Sequence, residues 1–149
     1  MTFRFRFQVV LEQRERQERD RQTVVAGLER ERLDAERVLR DIQRRIVEEG
    51  ERLRASVQGA VRGADVRLQR GAAIGLEVKA RDQAIRLAGI LKKLKDARAA
   101  LVEASKARRA MELLRDRQLE AWKAEQARRD RIEMDEIATQ RAMRREVQA

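Results

Sequence analysis

The sequence contains no cysteine, no histidine, no proline and no tyrosine, and only 3% of its 149 residues are aromatic. Lacking cysteine and histidine, it has no disulfide, no thiol nucleophile, none of the common zinc ligand sets and no Ser/His or Cys/His pair. An enzyme of ordinary design is therefore not expected, and neither is a metal or a cofactor. No apolar run approaches the roughly 20 residues that cross a bilayer, and the N-terminus lacks the basic, apolar, small-residue order of a secretory leader. The sequence reads as a soluble, cytoplasmic chain.

Charge and helix-forming residues fill the space left by these absences. Asp, Glu, Lys and Arg make up 42% of the chain, and the apolar 42% is largely Ala, Leu, Val and Ile dispersed among them. Such composition opposes a compact globule and favours long helices. Without proline, only glycine interrupts the pattern, and four of the seven glycines fall between Gly59 and Gly75. The chain reverses either near Gly59 to Gly63 or near Gly71 to Gly75.

An apolar seam chooses between them. In the first half it runs through Val24, Leu28, Glu31, Ala35, Leu39, Ile42, Ile46, Glu49, Leu53 and Val57, about 3.67 residues per step. In the second it runs through Leu76, Ala80, Ala84, Leu87, Leu91, Leu94, Arg98, Leu101, Ala104, Ala107, Met111, Leu114, Gln118 and Trp122, about 3.54 per step. A turn centred on Val61 makes facing residue numbers add to about 122 and sets Ile46 against Leu76, Ala35 against Leu87, Leu28 against Leu94 and Leu11 against Met111. A turn at Ala73 would oppose Leu53 to Lys93. The expected fold is all-α, a two-helix antiparallel coiled-coil hairpin forming a single domain over residues 1–149. Its arms are unequal, about 3–58 and 65–145, joined by a turn at about 59–64, with Gly63 ending the reversal and Asp65 as N-cap of the second helix. The longer second arm overhangs, leaving roughly the last 27 residues beyond Trp122 as a lone helix or a tail that orders on a partner.

The net charge of +10 is concentrated in the second arm, most densely at Lys92, Lys93 and Lys95 and at Lys106, Arg108 and Arg109. Solvated faces with i,i+4 pairs such as Glu12 with Arg16, Glu15 with Arg19, Asp41 with Arg45 and Glu48 with Arg52 are the reading preferred over an acidic protein partner, and that in turn over nucleic acid. No zinc-finger spacing, zipper basic region or aromatic interleaving supports nucleic-acid binding. The basic arms also lack the broad, bulky apolar face that inserts among lipids.

Phe3, Phe5 and Phe7 are the only phenylalanines. Their alternation fits a short strand, but the preferred reading places Phe3 and Phe7 one helical turn apart, facing Arg115 to Leu119 near Trp122 as an aromatic plug at the hairpin's open end. From Glu12 to Thr23 the first arm has no apolar residue, and it faces the alanines from Ala97 to Ala110, so this stretch is expected to be a soft spot with rapid amide exchange. The carboxylates Glu48, Glu49, Glu51, Asp135 and Glu136 lie on helix expected to be exposed, and no catalysis is assigned to them.

The run Phe3-Arg4-Phe5-Arg6-Phe7 with Val10-Leu11 and Arg14, together with Leu114-Arg115-Asp116-Arg117, Trp122, Glu125 and Met134-Asp135-Glu136-Ile137-Ala138, resembles the opening and closing signatures of the FliJ family. Proteins of this family are the coiled-coil stalk and escort component of the bacterial flagellar type III export apparatus. The resemblance implies a non-enzymatic protein, like the central shaft of rotary ATPases, that binds the hexameric export ATPase. It also implies contact with the cytoplasmic domain of the membrane export gate and escort of export chaperones, at a cytoplasmic site peripheral to the inner membrane. No small-molecule substrate and no nucleic acid would be involved. By the same likeness the ATPase side would carry Phe3, Phe5, Phe7, Trp122, Arg128, Arg129, Ile132 and Ile137. The gate side would carry Val38, Ile42, Arg45, Leu76, Lys79 and Gln83, although Arg45 and Glu49 depart from the aromatic or amide residues the family often places there. The rival reading is a generic coiled-coil scaffold or a basic nucleic-acid-associated helical protein.

Overall fold

A computed structural model describes residues 2–59 and 62–147. Two helices account for nearly all of it: α1, Gln8–Ser56 with 49 residues, and α2, Gly63–Val147 with 85 residues. They pack against each other as an all-α two-helix hairpin, with no strand among the described residues. The expected turn centre, Val61, lies outside the described residues. Gly59 has φ +136°, a conformation that a side chain would strain, and it sits just beyond the last turn of α1. Arg62 is the N-cap of α2: its carbonyl accepts from the Val66 N–H at 3.4 Å. Asp65 is thus the third helical residue rather than the cap, where its negative charge still complements the helix N-terminus. Gly63 opens the helix instead of ending the reversal.

The N-terminal segment corrects a second expectation. Phe3, Phe5 and Phe7 lie in neither helix nor strand, and α1 starts only at Gln8, after a turn in which the Gln8 N–H donates to the Phe5 carbonyl at 3.2 Å. Leaving the helix lets the alternate rings fold inward within a few residues, which helical spacing does not permit.

The chain divides into two units, Met1–Glu18 with Glu103–Ala149, and Arg19–Val102. In the second unit the seam keeps a strict alternation of three and four residues. Val25, Leu28, Arg32, Ala35, Leu39, Ile42, Ile46, Glu49, Leu53 and Ser56 turn inward from α1. Val66, Gln69, Ala73, Leu76, Ala80, Gln83, Leu87, Ile90, Leu94 and Ala97 turn inward from α2. This heptad spacing averages 3.5 and replaces the looser seam read from sequence. Val24, Glu31, Val57, Ala84, Leu91 and Arg98 are exposed, and their neighbours Val25, Arg32, Ser56, Gln83, Ile90 and Ala97 take the inward places. Ile90 is 5% exposed and Leu91 46%, so one step along the helix separates core from surface.

Ala35, Ile90 and Leu94 form the fully buried core of this unit. Its cross-helix polar contacts are Ser56 Oγ to Gln69 Oε1 at 3.0 Å, Gln83 Nε2 donating to the Ala35 carbonyl at 3.2 Å, and an Arg98–Glu29 ion pair. Their residue numbers add to 118–127, close to the expected 122. Arg32 occupies a seam position and is held by Glu29 at 2.8 Å and Glu36 at 2.6 Å, both on its own helix. None of the four expected i,i+4 ion pairs is present among the described residues. Asp41 pairs with Arg44 and Glu49 with Arg52 instead, each at i,i+3, the other spacing that brings helix side chains together.

Candidate partner-binding surfaces

In the first unit, Leu11 and Phe5 are buried, and Phe3 packs on Trp122 with ring centroids 6.1 Å apart and planes at 56°. Phe7 meets Phe5 edge-on at 5.9 Å, is 37% exposed, and lies under the Arg6 guanidinium at 5.7 Å. The structure thus joins Phe3 to Trp122, whereas Phe7 pairs with Phe5. Edge-on and tilted rings set positive ring edges against negative faces, a favourable arrangement beyond the area they bury.

Beyond Glu125 and Gln126, α2 continues alone. Every residue from 127 to 144 is exposed. Glu125 binds both arginines of the expected surface, Arg128 through two hydrogen bonds of 2.8 Å and Arg129 through one of 3.0 Å. These bonds, from Arg128 first and then Arg129, pull the Glu125 pKa down from 4.5 to about 2. The seam spacing runs on through Ile132, Thr139 and Met143, and a groove of about 410 Å³ lies along this face, lined by Ile132, Asp135, Glu136, Thr139, Gln140 and Met143. Ile132 is 45% exposed, whereas Ile137 points to a different side of the helix and does not line this groove.

The sequence did not single out a polar layer on the stretch expected to be soft. Glu18 turns inward at a heptad position, accepts a hydrogen bond from Ser105 Oγ at 2.6 Å, and pairs with Arg108, which also pairs with Glu112. Arg109 bonds Glu112 from outside at 3.2 Å. Arg109 and then Arg108 hold the Glu112 carboxyl below its usual range against the opposing effect of burial. For Arg108, burial disfavours the charge, but Glu112 and Glu18 outweigh it and raise the pKa. The signal available in the sequence was Glu18 standing seven residues from both Leu11 and Val25.

In the second unit a groove of about 540 Å³ is lined by Arg45, Glu48, Glu49, Arg52, Ala72, Gly75, Leu76 and Lys79. It gathers Arg45, Leu76 and Lys79 of the expected gate side. Ile42 and Gln83 are seam residues, the latter tied to the Ala35 carbonyl, and Val38 is 46% exposed outside this groove.

An unequal two-helix hairpin, with aromatic rings where the shorter arm begins and a bare helix beyond them, is the setting for the comparison with known proteins. The family model described as flagellar FliJ protein matches residues 3–147. The chain belongs to the FliJ family. Membership makes it a component of the flagellar export apparatus. The match spans both ends of the chain, including the aromatic segment and the uncovered part of α2. No curated protein and no solved structure matches the chain. No helix among the described residues is long and apolar enough to cross a membrane.

Proposed function

We propose that this FliJ-family chain is a non-enzymatic stalk: its uncovered α2 segment enters the ring of the hexameric export ATPase, and its mid-hairpin groove meets the cytoplasmic domain of the export gate. The observation that carries this reading is the exposure of every residue from 127 to 144 in a helix that nevertheless keeps its seam spacing at Ile132, Thr139 and Met143. A helix that presents an ordered stripe with nothing covering it has the form of an inserting tip.

Phe7, Arg128, Arg129 and Ile132 would contact ATPase subunits, with Phe3, Phe5 and Trp122 fixing the place where the shorter arm ends; Ile137 would meet a subunit on the other side. Charge on the tip alternates from the basic Arg128 and Arg129 through the acidic Asp135 and Glu136 to basic Arg141 and Arg144, so that subunits around it experience different fields as they cycle. On the gate side Arg45, Leu76 and Lys79 would make the contact, flanked by Val38, with Ile42 and Gln83 supporting them from the seam. Escort of export chaperones belongs to the same reading, as does a cytoplasmic location at the inner-membrane apparatus.

Deleting residues 128–149 and measuring stimulation of the purified export ATPase tests the proposal. Loss of stimulation with the remaining helix content intact is expected; undiminished stimulation would overturn it.

A further inference from the structure

α2 carries a second apolar stripe, in the Arg19–Val102 unit and on the side away from the seam. Gly71, Ile74, Gly75 and Val78 follow one another at offsets of three, four and seven, and Ile85 and Gly89 extend the same face. Ile74, Val78 and Ile85 are 53%, 48% and 66% exposed. The outward face of α1 in the same unit is mainly charged, with Arg40, Asp41, Arg44, Glu48 and Glu51 exposed there and only Leu33 and Val47, fourteen residues apart, exposed among them. An outward apolar stripe on one helix only is not what solvation of a hairpin requires.

The three glycines of the stripe lie inside a helix, and none has positive φ. A Cβ built on any of them meets nothing within 4 Å. Neither a turn nor packing within the chain accounts for them. Their missing side chains leave backbone bare beside Ile74, Val78 and Ile85, which suits close approach of another helix.

Charge identifies the visitor. Between Arg67 and Lys93 there are seven basic residues against Glu77 and Asp82. Arg70 and Arg81 flank the stripe on one side, Lys79 and Arg86 on the other, and none of the four makes an ion pair among the described residues. We propose that this face docks an acidic amphipathic helix of a partner protein, its apolar side laid on the stripe and its carboxylates reaching the flanking cations. A second copy of the chain would bring the same basic surplus against itself. A lipid surface would gain little from a stripe this narrow, with three glycines, no aromatic residue and Asp82 in its path. The inference goes beyond the stalk reading, with which it shares only Gly75 and Lys79, at the edge of the groove assigned there to the gate.

The test uses the full chain and a labelled synthetic helix of about six turns, with Leu and Ala on one face and Glu along both flanks, followed by fluorescence anisotropy. Its counterpart carries Lys at every Glu. The acidic helix is expected to bind and the basic one not. Gly71→Leu and Ile85→Ser, which leave net charge unchanged, should each weaken binding about tenfold or more, with circular dichroism showing helix content retained. Gly27→Leu, on α1, should bind as the parent chain does. The proposal is overturned if the acidic helix fails to bind or if Gly71→Leu and Ile85→Ser bind it undiminished. It is also overturned if those variants instead abolish attachment to phosphatidylglycerol vesicles, or self-association measured by sedimentation.

Discussion

Phe3 and Trp122, from opposite ends of the sequence, hold their rings 6.1 Å apart at 56°. Trp122 is the only tryptophan, so its fluorescence reports this contact alone. Replacing Phe3 with Ala should shift the emission to longer wavelength and cost about 1–2 kcal/mol, from lost burial and the ring pair together. Phe7→Ala, whose ring meets Phe5 instead, should leave the emission in place. Equal shifts from both variants would show that the rings do not divide in this way.

Ile90 and Leu91 test the heptad register. Ile90→Ala removes a side chain that is 5% exposed and should cost about 2 kcal/mol or more, near the low end for buried truncations because a two-helix interface relaxes readily. Leu91→Ala should cost about 0.5 kcal/mol. Urea melts of the two variants decide the matter, and the reverse order would restore the seam first read from sequence.

That pair also shows what the sequence could and could not give. The all-α hairpin was legible, because helix formers without proline leave glycine as the only punctuation. The register was legible to within one residue. At the doublets Val24-Val25 and Ile90-Leu91 either neighbour satisfies a helical period, and only the partner helix selects Val25 and Ile90. The same habit of following one seam hid the outward stripe of Ile74, Val78 and Ile85. The Glu18 layer was hidden because charged residues are normally assigned to solvent. Among the candidate contacts, an aromatic cluster near Trp122 was anticipated from facing numbers, which set Phe3 and Phe7 against Arg115 to Leu119, whereas the non-helical path of Phe3 to Phe7 was not: nothing in an Arg/Phe alternation distinguishes a short strand from an irregular segment.

Acid should loosen the chain. Glu29, Glu112 and Glu125 all have pKa values below 4.5, through their bonds to Arg32, Arg109 and Arg128 respectively, Glu125 being near 2. Each therefore binds a proton less readily folded than unfolded, so its stabilising share is complete above about 4.5 and is lost as pH falls through the folded-state pKa, about 2 for Glu125. Thermal melts between pH 6 and pH 2.5 should show a falling midpoint. Glu125→Gln should make that fall shallower, and a carboxyl titration by NMR should place Glu125 as the lowest of the three.

Gly27 lies inside α1, and a Cβ there meets nothing within 4 Å. Gly27→Ala should raise stability by about 0.5–1 kcal/mol, since alanine loses less backbone entropy on becoming helical and has room to sit. A lower melting temperature would mean that something outside the helix needs that space.

The Glu18 layer bears on whether the two helices around it can slip in register. Two helices greased only by leucine and alanine can creep past one another seven residues at a time, since each step finds an equivalent fit. Here a step toward the C-terminus of α2 would carry Glu18 from Ser105 to Glu112, anion onto anion, and a step either way would strip Arg108 of one of its two carboxylates. The layer therefore works as a register key for this stretch of the two helices, marking one of several equivalent heptad fits as the right one.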